Sequence, residues 1–200
     1  MDAYYCDNKE DACNLVRTLI KKGDVISSGG SVTLKETGVY DIITSSDYKY
    51  LDRAAEGITP EEVEEVYRQT FRADTFFMST NAITENGELY NVDGNSNRVA
   101  ALLYGPKSVI VVCGINKIVK NIDEAIKRVK TIAAPQNTIR LGIETPCGKT
   151  GECVSLRKEN PELCDGCHGD TRICCNYVVS AQQRHIDRIK VIIIGEEYGY

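Results

Sequence analysis

One stretch of the chain, residues 74–112, constrains the fold more than any other because it places a dense polar block between two apolar runs. The apolar runs, residues 75–78 and 108–113, predict buried strands. A segment needed only for a core would not contain so many hydrogen-bonding side chains. The block therefore predicts a ligand site on a rigid scaffold, with these polar members: Asn81, Thr84, Glu85, Asn86, Glu88, Asn91, Asp93, Asn95, Asn97 and Arg98.

The same block also predicts its local structure. Asn86-Gly87 lies between two short strand-like runs and predicts a tight hairpin. A turn at residues 93–95 follows, and Asn95 or Ser96 caps a helix that continues to Tyr104. For any single polar residue, capping or turning the chain is the favoured interpretation. For the block as a whole, a functional site is favoured.

Length and composition indicate one ordinary α/β domain. Helical spacing predicts helices over residues 7–23, 59–71 and 121–133, and short apolar runs predict strands at 24–28, 40–44, 177–181 and 189–194, the last two paired. This alternation indicates a three-layer α/β sandwich with a mostly parallel central sheet and an antiparallel hairpin. We expect residues 1–200 to form a single domain that contains a cysteine-rich segment, residues 145–176.

Charge and hydropathy exclude several classes of partner. The net charge of −5, with basic residues scattered, does not indicate nucleic-acid binding. No apolar run approaches the ~20 residues of a membrane span. The first residues contain neither the basic nor the apolar part of a secretory signal, so we expect a cytoplasmic protein whose cysteines are thiols or metal ligands.

A glycine-rich turn, Gly29-Gly30-Ser31-Val32-Thr33, follows a predicted strand and opens a helix. Glycines let a backbone approach a ligand closely, and exposed amides at a helix start favour an anion. The alternative is a plain tight turn capped by Ser31. Glu36 either supports this turn, acts as a base or nucleophile, or is a solvated glutamate. Arg53 and Arg98 are candidates for carboxylate recognition.

Six cysteines lie between residues 147 and 175, and Cys164 and Cys167 form a C-x₂-C knuckle among glycines. This pattern is typical of a metal site. Zinc is favoured over an iron–sulfur cluster because the compact ferredoxin spacing is absent. The alternative is a loop of reduced thiols.

Four segments together resemble the LUD domain family, also called the lactate utilisation protein C family. They are residues 29–38 (GGSVTLKETG), 51–53 (LDR), 74–98 (DTFFMSTNAITENGELYNVDGNSNR) and 191–200 (VIIIGEEYGY). The resemblance covers nearly the whole chain and implies a fold similar to that of glucosamine-phosphate isomerases, ribose-phosphate isomerases and CoA transferases. Members usually have a further N-terminal helix, which suggests a short or trimmed member here.

The resemblance implies an accessory or regulatory component of bacterial L-lactate oxidation to pyruvate. Such a component binds a small organic anion, or iron–sulfur partner proteins, without a nucleotide cofactor of its own. One alternative is an enzyme related to CoA transferases or sugar-phosphate isomerases, acting on acyl-CoA or a phosphosugar, with Glu36 or Glu85 as catalytic carboxylate. Another is a metal-stabilised interaction module. The predicted ligand-binding residues are Gly29, Gly30, Ser31, Thr33, Arg53, Asn81, Asp93, Asn97 and Arg98.

The resemblance extends to the cysteine-rich segment. Aligned with the family pattern, the metal ligands are Cys147, Cys153, Cys167 and Cys174. An insertion at residues 154–163 separates Cys153 from the knuckle, so Cys164 is the substitute ligand if the register shifts.

Overall fold

The computed structural model describes the whole chain, Met1–Tyr200. Its strands are β1 (Asp2–Cys6), β2 (Val25–Ser28), β3 (Lys49–Tyr50), β4 (Thr75–Met78), β5 (Ala82–Thr84), β6 (Leu89–Asp93), β7 (Ser108–Gly114), β8 (Ile118–Val119), β9 (Asn176–Ser180) and β10 (Ile189–Ile194). Its α-helices are α1 (Lys9–Leu19), α2 (Val32–Glu36), α3 (Val39–Ile43), α4 (Pro60–Gln69), α5 (Asn97–Tyr104), α6 (Ile122–Arg128), α7 (Ala134–Leu141) and α8 (Pro146–Thr150).

Short helical turns of other types complete the secondary structure. Segments of 3₁₀-helix are Thr70–Arg72, Ile115–Lys117 and Val154–Arg157, and a π-helical segment, Val129–Ala133, joins α6 to α7. Helix α4 begins as its sequence predicts, with Thr59 and Glu62 forming a capping box around Pro60. None of the helices combines the length and the apolar character that a membrane span requires.

The first of two compact units comprises Met1–Ser79, Asn97–Asn116 and Gln183–Gly199. Its sheet has the strand order β1-β10-β7-β4-β2-β3, and all neighbours are parallel. Helices α1, α2 and α3 pack against one face, where Ile26, Phe77 and Ile110 are buried. Because side chains alternate along a strand, Phe76 points to the opposite face, toward α5. The unit therefore has the predicted layers around a parallel central sheet.

The second unit comprises Thr80–Ser96, Lys117–Gln182 and Tyr200. Its sheet has the order β8-β5-β6-β9, with β5 and β9 antiparallel to β6. The Asn86-Gly87 hairpin joins β5 to β6, and Gly87 has a φ of 91° as a tight turn requires. Tyr90, Ala125 and Val129 form a core between this sheet and the α6–α7 segment.

Three details of the predicted secondary structure are wrong. Residues 40–44 lie in helix α3 and the turn after it rather than in a strand. Strands β9 and β10 do not pair with each other, because β10 lies between β1 and β7 while β9 pairs with β6. The helix predicted to end at residue 133 instead continues through the π segment Val129–Ala133 into α7, which ends at Leu141.

Candidate functional site

The carboxyl ends of β2 and β4 mark the point where the strand order of the parallel sheet reverses. After β2 the chain forms the edge strand β3, returns to β4 on the other side of β2, and then continues through β7 to β10. Ligands of open α/β sheets bind in the crevice outside the carboxyl ends at such a switch point. The loops that begin there carry Gly29 after β2 and Ser79 after β4.

At this switch point, Gly29 and Arg98 are in close contact. A Cβ atom on Gly29 would lie 3.0 Å from both Cγ and Cδ of Arg98. The Nη1 group of Arg98, at the start of α5, donates a hydrogen bond of 3.2 Å to the carbonyl of Ser79. Gly29 therefore lets an arginine side chain lie across the end of β2, and its guanidinium is fixed at the end of β4.

Two tyrosines outside the predicted site contact residues that follow or end strands β2 and β3. Tyr50 ends β3, and its hydroxyl is 2.6 Å from Oγ of Ser28 at the end of β2. Burial raises the pKa of Tyr50 to about 12. The Arg53 guanidinium lies 5.9 Å from the ring centroid of Tyr67, a cation–π distance. A usable signal was the position of Tyr50, directly before the Leu-Asp-Arg step.

The polar residues of α2 hold the C-terminal segment of the first unit. Glu36 accepts a hydrogen bond of 2.6 Å from the backbone amide of Gly199. Thr33 donates to the Tyr198 carbonyl at 3.2 Å. Ser31 caps α2 by accepting from the Leu34 amide. Because α2 has only 5 residues, its start provides little dipole for an anion, and the observed contacts of Glu36 and Thr33 are tethering contacts.

Three of the predicted catalytic and ligand-binding residues belong to the second unit. Asn81 accepts from the Val92 amide at 2.9 Å, and its carbonyl accepts from the Arg128 guanidinium at 2.7 Å. Glu85 is exposed beside the hairpin, and the carbonyl of Asp93 accepts from the Cys175 amide at 3.1 Å. The remaining predicted residues lie in the first unit, and an anion pocket built from both sets stays a prediction.

The four predicted metal ligands line one cavity of the second unit: Cys147, Cys153, Cys167 and Cys174. Burial, with smaller contributions from the neighbouring Cys147 and Cys153, raises the pKa of the Cys174 thiol to about 12. Cys164 does not line the cavity and is exposed, as is Cys175. No three His, Cys, Asp or Glu side chains already lie in an arrangement that could hold a metal ion.

Comparison with known proteins assigns the family. The profile of the LUD domain matches residues 1–194. The chain belongs to the LUD domain family. Membership of this family indicates that the protein is related to lactate utilisation. No protein of curated function matches the sequence.

Solved structures similar to this LUD domain include a DUF162 family protein from Deinococcus radiodurans. It has 14% sequence identity and a TM-score of 0.50, over 97% of this chain and 88% of that one. Two weaker similarities are to eIF2B beta and eIF2B delta from Chaetomium thermophilum. The first has 18% identity and a TM-score of 0.38 over 58% of this chain and 41% of that one. The second has 19% identity and a TM-score of 0.38 over 60% and 50%. At these identities the Deinococcus protein supports the fold alone.

The motif segments of this LUD domain meet at one edge of the parallel sheet in the first unit. The glycine turn follows β2, the Leu-Asp-Arg step follows β3, and the Gly-Glu-Glu-Tyr-Gly segment follows β10. Because all these strands are parallel, their carboxyl ends lie at the same edge. The structure brings together Gly29 with Arg98, and Glu36 and Thr33 with the C-terminal segment.

Proposed function

We propose that this LUD domain protein binds a small organic anion at the β2–β4 switch point and acts as an accessory or regulatory component of L-lactate oxidation to pyruvate. The observation that carries the proposal is the position of Arg98. Its side chain crosses Gly29, and its guanidinium bonds to the end of β4. An arginine fixed at a sheet crevice is suited to a carboxylate because the planar guanidinium pairs with both carboxylate oxygens.

Neighbouring groups suit a small polar ligand. Ser28 and Tyr50 provide a pair of hydroxyls at the ends of β2 and β3. Since burial holds the pKa of Tyr50 near 12, its hydroxyl stays a neutral donor at physiological pH. A neutral donor and a guanidinium at one sheet edge are what a hydroxy acid or keto acid carboxylate needs.

A ligand-binding role fits this chain better than a role in which the chain itself transfers electrons. The glycine turn has neither of the spacings that bind flavin, nicotinamide or nucleoside triphosphates. Redox chemistry would then belong to partner proteins that contain iron–sulfur clusters, in the cytoplasm. The LUD chain would sense or present the acid.

An enzyme related to CoA transferases or sugar-phosphate isomerases, with Glu36 or Glu85 as the reactive carboxylate, is the alternative prediction. In the structure Glu36 accepts a backbone hydrogen bond and Glu85 is exposed next to a hairpin turn. These positions favour binding as the first hypothesis. Turnover with a panel of acyl-CoA and phosphosugar substrates would support the enzyme instead.

Calorimetric titration with L-lactate and pyruvate tests the binding proposal. Arg98→Ala should weaken binding by about 1–3 kcal/mol, the worth of a hydrogen bond to a charged group. Arg98→Lys should recover only part of that loss because an ammonium lacks the planar fork. The control is Arg72→Ala, an exposed arginine of the 3₁₀ segment, which should leave the affinity unchanged. Equal affinities of the Arg98→Ala and unsubstituted proteins would contradict the proposal.

A further inference from the structure

The cavity lined by four cysteines is an unusual place for thiols to meet, because they come from four separate local structures. Cys147 lies in α8, Cys153 directly before the Val154–Arg157 turn, Cys167 in the knuckle loop and Cys174 two residues before β9. The cavity that they line, together with other side chains, has a volume of about 20 Å³, which is room for about one water-sized body. A space of this size is sufficient for a single ion.

We infer that Cys147, Cys153, Cys167 and Cys174 form a four-thiolate site for one zinc ion. Thiolate sulfur is the soft donor that zinc prefers, and four sulfurs at ~2.3 Å complete its tetrahedral shell. The side chains do not yet lie at ligand positions. Closing the site therefore requires the thiols to turn inward around the ion, and metal binding releases their protons.

Hydroxyl groups already support two of the four sulfurs. Ser155 donates a hydrogen bond of 3.3 Å to Sγ of Cys153. The Thr145 hydroxyl is 3.3 Å from Sγ of Cys147 and also caps α8. Outer hydrogen bonds of this kind orient ligands and offset the negative charge that remains on zinc-bound thiolates.

One arginine holds the backbone around the cavity. Arg172 donates to three cysteine carbonyls, those of Cys164 at 2.8 Å, Cys167 at 3.0 Å and Cys174 at 2.7 Å. Its guanidinium also lies over Gly166, where an added Cβ would be 3.1 Å from Nη2. Arg172 thus fixes the knuckle next to Cys174 and places a positive charge next to the thiols. It is a positioning residue for the zinc site.

The segment around the site has almost no core of its own. Between Gly151 and Cys175 the only buried residue is Ser155. A loop of this length without apolar burial cannot offset its conformational entropy, and small segments of this kind are stabilised by metals or disulfides. A zinc ion would join α8, the knuckle and the strand that follows it, which explains why the thiols converge.

Metal analysis of the full chain, purified without added metal, is the direct test. We expect about one equivalent of zinc, and after exchange to cobalt the absorption bands of tetrahedral cobalt–thiolate coordination. Less than a tenth of an equivalent of zinc with all nine thiols titratable would overturn the inference. So would iron with labile sulfide, or a mass loss that shows disulfides. The cobalt spectrum needs no variant, so it decides even if a variant fails to fold.

Neighbouring cysteines provide matched controls. Cys174→Ser should lose the zinc, whereas Cys175→Ser, which changes an exposed thiol one residue away, should keep it. The same contrast applies to Cys167→Ser and Cys164→Ser. If both members of a pair retain zinc, or Cys164→Ser alone loses it, the assigned ligand set is wrong.

The role of Arg172 is tested by Arg172→Lys, which keeps the positive charge but cannot make all three hydrogen bonds of the guanidinium to the cysteine carbonyls. Loss of an outer-shell partner typically lowers metal affinity by about 10–100-fold, so competition with a chromophoric chelator should show a drop in this range. The cobalt bands should shift as well, which a purely structural residue would not cause. Arg157→Lys, at an exposed arginine in the inserted segment, is the control. Unchanged affinity in Arg172→Lys would contradict the positioning role.

Discussion

Replacing Gly29 with alanine tests the contact that fixes Arg98. The new Cβ would lie 3.0 Å from Cγ and Cδ of Arg98 and 3.5 Å from the Phe76 ring. Carbon atoms pack best at about 3.5–4.0 Å, so the Phe76 contact is ordinary and the overlap falls on Arg98. Gly29 has no positive φ, so the backbone adds no strain. Overpacking of this kind costs about 1–3 kcal/mol of unfolding free energy.

Urea unfolding of a double-mutant cycle measures the effect. Gly29→Ala alone should lose about 1–3 kcal/mol. In an Arg98→Ala background the same substitution should cost little, which gives a coupling energy of similar size. Gly169→Ala is the control, because its Cβ would meet nothing closer than 3.8 Å and its φ is not positive. Additive effects within about 0.5 kcal/mol would show that Arg98 is not the reason for a glycine at position 29.

Two further perturbations address the same unit. Gly114→Ala should cost about 3 kcal/mol or more in thermal unfolding, because its Cβ would lie 2.6 Å from the backbone of Glu196 and Tyr198; a loss under about 1 kcal/mol would contradict this. As pH rises from about 10 to about 12, the unsubstituted protein should lose stability relative to Tyr50→Phe. The phenol of the unfolded chain ionises from about pH 10, whereas the pKa of Tyr50 in the folded protein is raised to about 12, so rising pH favours the unfolded chain. A difference that stays constant in urea unfolding across that range would refute the assignment.

Local sequence patterns predict most elements of the fold, because the spacing of apolar residues and the capping of helices are local properties of the chain. The hairpin at Asn86-Gly87 and the start of α4 at Thr59 follow directly from their sequences. The error at residues 40–44 has a physical cause. Val39, Ile42 and Ile43 are buried at a spacing that a short helix and a short strand share. Gly38, with a φ of 77°, starts a helical turn there.

Strand partners could not be predicted in the same way. Residues 177–181 and 189–194 are close in sequence and both apolar, which favours pairing, yet β9 joins β6 and β10 joins β1 and β7. Strand β1 has no clear sequence signal, because apolar side chains stand at both its partly buried and its exposed positions, as Tyr4 and Tyr5 do. Pairing depends on which faces are buried in three dimensions, and a local pattern does not contain that information.

In the candidate sites, too, local patterns predict the local structure but not the neighbours that long-range packing brings to it. A glycine turn predicts that something approaches the backbone closely, but not what approaches, and at Gly29 the first neighbour is the side chain of Arg98. A cysteine pattern predicts thiols that converge, but not what holds them. Arg172 does so through backbone carbonyls. Carbonyl acceptors are present at every residue and have no sequence signature, so the spacing of the cysteines does not show what this arginine binds. Arginines that bind main-chain carbonyls in a loop without apolar core therefore have to be sought in the structure, and the substitution of Arg172 tests how the backbone around the thiols is held.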